Sequence, residues 1–136
     1  MSAIHKDEYR RAAENRLVDA KVLKDANRHH AMIYLLGFVL ECALAYSYCA
    51  RNQKQYIQDV KGYNDRVWKN HNQLLDKLMA VGLHSLSEDL SKIAKEWKVE
   101  MRYAGDHYTS QVDKQRAEKL FDLTRSLFVR IKANSL

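Results

Sequence analysis

Proline is absent from this 136-residue chain, and glycine occurs only at Gly37, Gly62, Gly82 and Gly105. Strands and hairpins are usually bounded by these residues, so their scarcity argues against a β-rich fold. Cysteine is nearly as rare. Cys42 and Cys49 lie seven apart on what reads as one helix, which sets their Cα atoms about 10 Å apart. That is too far for a bridge within the chain, so a disulfide scaffold is excluded and both read as small core residues of a reducing compartment. The first eleven residues are polar and lack a leader's apolar stretch, and cytoplasm is the expectation. His29-His30 and His84 have no partners at metal-ligand spacing, so neither metal nor cofactor is expected.

No sign of charge dominates. Charged residues make up 29% of the chain and leave a net charge of +6, densest in residues 51–69 and 114–132. Such a balance describes a folded soluble domain, and its mild excess fits contact with a polyanion, nucleic acid first among them. The length suits one domain with a core of its own.

Helix formers fill what remains, and the expected fold is all-α: an antiparallel bundle of four long helices plus one short one. The spacing predicts a first helix over about residues 4 to 27, with Tyr9, Ala13, Leu17, Ala20 and Leu23 inward. A second, over about 29 to 51, is apolar nearly all round and should lie at the centre. Residues 31–50 have the length of a bilayer span, but Glu41 in their middle makes a membrane segment costly there. Gly37 inside that helix weakens it unless another backbone approaches closely.

Residues 52–69 read as one long basic loop with a turn at Gly62-Tyr63-Asn64-Asp65. A short helix from about His71 to Val81 follows, with Leu74, Leu75, Leu78 and Met79 inward and Gly82 closing it. Ser85-Leu86-Ser87-Glu88 has the form of a capping box opening a fourth helix to about Tyr103. Trp97 falls in phase with that helix's apolar stripe and reads as core. The last helix should begin near Ser110 or Asp113 and bury Ala117, Leu120, Phe121, Leu127, Phe128 and Ile131.

Between the last two helices lies Met101-Arg102-Tyr103-Ala104-Gly105-Asp106-His107-Tyr108. A histidine can move the ribose 2′-hydroxyl proton near neutral pH, and a guanidinium can hold the charge that builds on phosphate. Residues five apart on an unbroken helix point about 140° away from each other, and Gly105 supplies the break that would let Arg102 and His107 converge. Arg66 and His71 repeat the spacing, so position in the chain has to separate the two pairs. Arg102 has a second reading, as the structural partner of Glu41, since a carboxylate in so apolar a helix needs a cation or donors. His71 reads either as a cap of its own helix or as a site residue. Tyr103 and Tyr108 flank the break and are candidates for contact with RNA.

Three separated features resemble the HEPN family of small helical domains, many of them RNases or toxins. They are Gly37-Phe38-Val39-Leu40-Glu41-Cys42-Ala43-Leu44, then His71-Asn72-Gln73-Leu74 with Leu75 and Leu78, then Trp97 to Tyr103 running into His107. The resemblance covers about residues 10 to 132. It implies that Arg102 and His107 form a catalytic pair cleaving RNA without metal, in a homodimer whose second histidine serves as acid. It also implies a possible toxin role in a toxin–antitoxin or defence pair, with a nucleotidyltransferase-type antitoxin or another protein as partner. The chain departs from the family pattern at Tyr103, where a polar residue is usual, at Ala45, where a lysine is usual, and at Tyr108, one position after the histidine instead of two. A silent module of the same fold, binding a protein or a nucleotide, is the alternative those departures keep open.

Overall fold

The computed structural model describes residues 4–69, 73–97 and 114–135. It is all-helical, with no strand among the described residues. The helices are α1 (Lys6–Asp25), α2 (His29–Arg51), α3 (Asp65–Trp68), α4 (Leu74–Val81), α5 (Ser87–Ala94) and α6 (Lys114–Ala133), with 3-10 turns at Ile57–Asp59 and His84–Leu86. The all-α class is as expected, but among the described residues only α1, α2 and α6 are long and α3, α4 and α5 are short, in place of four long helices and one short one.

The core is built around α2, whose neighbours include α1, α4, α5 and α6. Met32, Ile33, Leu36, Val39, Leu40, Ala43 and Leu44 are all at most 1% exposed, so the helix is apolar because it is surrounded. It is long and apolar enough to cross a membrane by length and composition, yet 67% of its most apolar stretch is buried within the bundle. Helix α1 lays Ala13 and Ala20 fully against the core, with Tyr9, Leu17 and Leu23 packed beside them. Those are the inward positions its periodicity predicts. Helix α6 buries Ala117, Leu120, Phe121, Leu127, Phe128 and Ile131, again as expected, and adds Thr124, whose hydroxyl donates to the Leu120 carbonyl at 2.9 Å.

Several expectations are corrected. Residues 52–69 are not a plain loop. Ile57, Val60 and Trp68 are buried, and α3 begins at an Asn64 N-cap whose side chain accepts from the Arg66 N–H at 2.9 Å. Three apolar anchors without helical or strand period carry no periodic signal, which is why the segment reads as loop.

Helix α4 is rotated from its expected face. Leu74, Lys77, Leu78 and Val81 are buried, whereas Leu75 and Met79 are 40% and 48% exposed. Gly82 does close it, in the left-handed conformation with φ +88° and its N–H donating to Leu78 and Met79 carbonyls. The capping box fails too. Ser85 lies inside a 3-10 turn, and the residue before α5 is Leu86, with no side-chain cap bond. The helix then ends at Ala94, short of Tyr103, and a turn delivers Trp97 to the core.

A further correction concerns Gly37. What approaches it is an indole, not a backbone: a Cβ built there would collide with the Trp97 ring. The indole N–H donates to the Tyr34 carbonyl at 3.0 Å, and Phe38 meets the ring edge-on at 5.6 Å between centroids. Trp97 is 3% exposed and therefore core, as its phase suggests.

Candidate functional site

Tyr34, Gly37, Phe38 and Glu41 stand at i, i+3, i+4 and i+7 of α2, so they form one stripe of that helix. Trp97 occupies the first three positions. Glu41, half-buried one turn beyond, faces a cavity of about 240 Å³. Cys42 and Ala45 of α2, Tyr9 of α1, Tyr63 and Trp68 around α3, and Lys77 of α4 complete most of its wall. Ile4, Gln58 and Lys69 are exposed at its rim.

Lys77 is the most unusual of these. It is fully buried at 0% exposed, a position lysine rarely takes without compensation. Burial lowers its pKa, and the Glu41 carboxylate, then that of Asp76, oppose the shift by favouring the ammonium. Its amine also lies 6.0 Å from the centre of the Trp68 ring. Trp68 in turn stacks on Tyr48 at 4.5 Å and 24°, so that aromatic wall is held from behind.

Burial holds the Cys42 thiol and the Tyr9 and Tyr63 phenols of the wall in their neutral forms. Burial raises Cys42 to about 11, helped by Glu41 and opposed by Arg16. Cys49 reaches about 11 by burial as well. Tyr63 is pushed up to about 12 by burial and by its hydrogen bond and charge repulsion with Asp65, and Tyr9 is raised mainly by burial. The cavity therefore combines one carboxylate, one buried amine, two protonated phenols, one protonated thiol and an indole, with the Lys69 amine at its rim. Its chemistry is binding by complementary donors and acceptors, not nucleophilic attack by thiolate or phenolate.

Beyond Tyr9 lies a second, more open hollow that shares Ile4, Tyr9 and Cys42 with the first. His5, Glu8 and Tyr56 contribute to it, His5 standing edge-on to Tyr56 at 5.6 Å.

Of the residues singled out from the sequence, Glu41 lies in the cavity wall. Arg102, Tyr103, His107, Tyr108 and His71 lie outside the described residues, as does Gly105. Sequence reasoning missed Lys77, Tyr63, Trp68 and Tyr9 as a group. The signal for Lys77 was available, since it stands three after Leu74 and four before Val81 on α4's buried face. Lysine's strong preference for solvent hides that signal.

No family model matches the chain, and neither the curated proteins nor the solved structures give a match.

Proposed function

We propose that the protein is a metal-independent endoribonuclease in which Arg102 and His107 are the reacting pair. The observation that carries the reading is the seating of Trp97 on the Gly37 stripe, one helical turn from Glu41. Arg102 follows Trp97 by five residues, and a chain of that length reaches at most about 17 Å. Glu41 lies about 6 Å along the helix from Gly37, well inside that reach. A half-buried carboxylate there suits an arginine that must be oriented, and the two roles first considered for Arg102 then reinforce each other.

In this reading His107 takes the proton of a ribose 2′-hydroxyl. The resulting alkoxide attacks the adjacent phosphorus, and the guanidinium of Arg102 stabilises the charge on the phosphorane oxygens. The P–O5′ bond then breaks, leaving a 2′,3′-cyclic phosphate and a 5′-hydroxyl. A second chain about a two-fold axis supplies the acid that protonates the leaving oxygen. The net charge of +6 favours a polyanionic substrate. A growth-arresting toxin, held in check by a partner protein, is the biological role this activity suits best.

The test is a labelled single-stranded RNA incubated in excess EDTA beside the same strand carrying 2′-deoxyribose throughout. The RNA should be cut and the DNA left intact. Cleavage of both strands, or activity that EDTA abolishes, would contradict the mechanism. A second reading, a silent module that binds a nucleotide, is favoured by Tyr103 after the arginine and by the formed cavity at Glu41 and Lys77. Binding without cleavage in the same assay would select it.

A further inference from the structure

The second hollow, about 600 Å³ beside the first turns of α1, has a wall of a different kind. Three of its side chains are rings, those of His5, Tyr9 and Tyr56. The rings of His5 and Tyr56 stand at 88° with centroids 5.6 Å apart, so they make two sides of a corner. Backbone contacts hold that corner in place. His5 and Tyr56 pair as an isolated antiparallel bridge, and the Lys6 N–H donates to the Gln55 carbonyl at 2.8 Å. The imidazole is held as well, since its Nδ1 accepts from the Asp7 N–H at 3.1 Å, the contact of an uncharged ring.

Aromatic faces attract cations through the ring quadrupole, and this chain uses that contact repeatedly. Lys24 and Arg125 stand over Phe121, Lys132 over Phe128 and Lys77 over Trp68. Among the described residues no lysine or arginine stands over Tyr9 or Tyr56, and none lines the hollow. The charged side chain of its wall is Glu8. Arg11 holds one Glu8 oxygen at 2.6 Å in an exposed pair of little strength, so the carboxylate acts on the hollow through its charge and not as a required contact. With Asp7 it also offsets the positive end of α1. One carboxylate is too few for a hard metal ion, which takes several oxygens. Ring faces suit instead a weakly hydrated organic cation, whose methyl groups can also pack on Ile4 and Ala12.

We propose that this hollow binds a trimethylammonium group, with the rings of Tyr9 and Tyr56 against its methyls and Glu8 supplying the counter-charge. The volume lies within the about 300–1,000 Å³ of small-molecule sites, which leaves room for the rest of the molecule that carries the head. The site is separate from Arg102 and His107, and its occupancy does not depend on RNA cleavage.

The experiment is calorimetric titration of the full chain with choline chloride, beside the carbon isostere in which a tert-butyl group replaces the trimethylammonium. The two differ in charge and hardly in shape, so the ring contact separates them. Choline should bind tighter by roughly tenfold or more. Tyr56→Leu should remove most of that difference, whereas Tyr56→Phe keeps the ring and should keep the preference, with folding checked by thermal unfolding. If Tyr56→Leu fails to fold, Glu8→Gln at its exposed position still reads the site: it should weaken choline by roughly threefold and leave the isostere unchanged. A short peptide carrying trimethyl-lysine, beside the same peptide with unmodified lysine, separates the two sources of such a head. Tighter binding of choline assigns a free cation, and tighter binding of the methylated peptide assigns a protein side chain. Equal binding of choline and its isostere, no saturable binding of choline or of the methylated peptide, or an undiminished preference in folded Tyr56→Leu would overturn the proposal.

Discussion

Gly37 has no side chain because Trp97 lies where one would be. An alanine there gains about 1 kcal/mol of helix propensity but must push the indole out of its seat. Overpacking of that kind costs about 1–3 kcal/mol, so Gly37→Ala should lower stability in urea denaturation despite the better helix former. Lys77 has the opposite character. Lys77→Met removes a buried charge and keeps the volume but takes away the ammonium that the Glu41 carboxylate favours, so the double variant Lys77→Met/Glu41→Gln, and not the single one, should leave the unfolding midpoint unchanged or higher. Glu41→Ala removes the carboxylate that favours the Lys77 ammonium and should lower the unfolding midpoint. The two thiols make a pH prediction. Cys42 and Cys49 ionise near 11 in the fold against an ordinary value of 9.0, so the unfolded chain loses these protons first. Stability should be full below pH 9 and fall as pH rises toward 11, a loss that Cys42→Ser should reduce in denaturation curves at pH 8 and pH 10.

At the level of elements, the sequence was readable where burial and period agree. Helix α2 spans the expected residues because every turn is apolar, and α1 and α6 carry clean stripes. Helix α4 was misread because Leu75 and Met79 are apolar yet exposed, while Lys77 takes the inward place beside Glu41. No pattern in α4 alone reveals that the neighbouring helix holds a carboxylate. The capping box of α5 failed for a related reason, since a 3-10 turn ahead of the helix moved Ser85 off the cap position. Of the site, Glu41 could be found from chemistry, as a charge in an apolar helix. Its cavity could not, because its aromatic wall comes from a segment without period. Helix ends offer a direct check. Gly82 holds a left-handed conformation that a side chain strains by about 1–2 kcal/mol, so Gly82→Ala should destabilise the fold by that amount and shorten amide-exchange protection in α4.

For the whole molecule, one stripe of α2 connects the two halves of the account. It seats Trp97 at one end and gives Glu41 to the cavity at the other. The proposed two-histidine site needs two chains, so sedimentation should give a mass near twice 15.9 kDa. Expression should arrest growth, and Arg102→Ala or His107→Ala should relieve it while the purified variants keep the wild-type unfolding midpoint. The most direct measurement is the chemistry of the cut itself. Wild type and His107→Ala are incubated with end-labelled single-stranded RNA in excess EDTA, and the 3′ ends of the fragments are identified. The account predicts 2′,3′-cyclic phosphate ends from the wild type and no fragments from the variant. Fragments ending in a 3′-hydroxyl, or equal cleavage by His107→Ala, would contradict it.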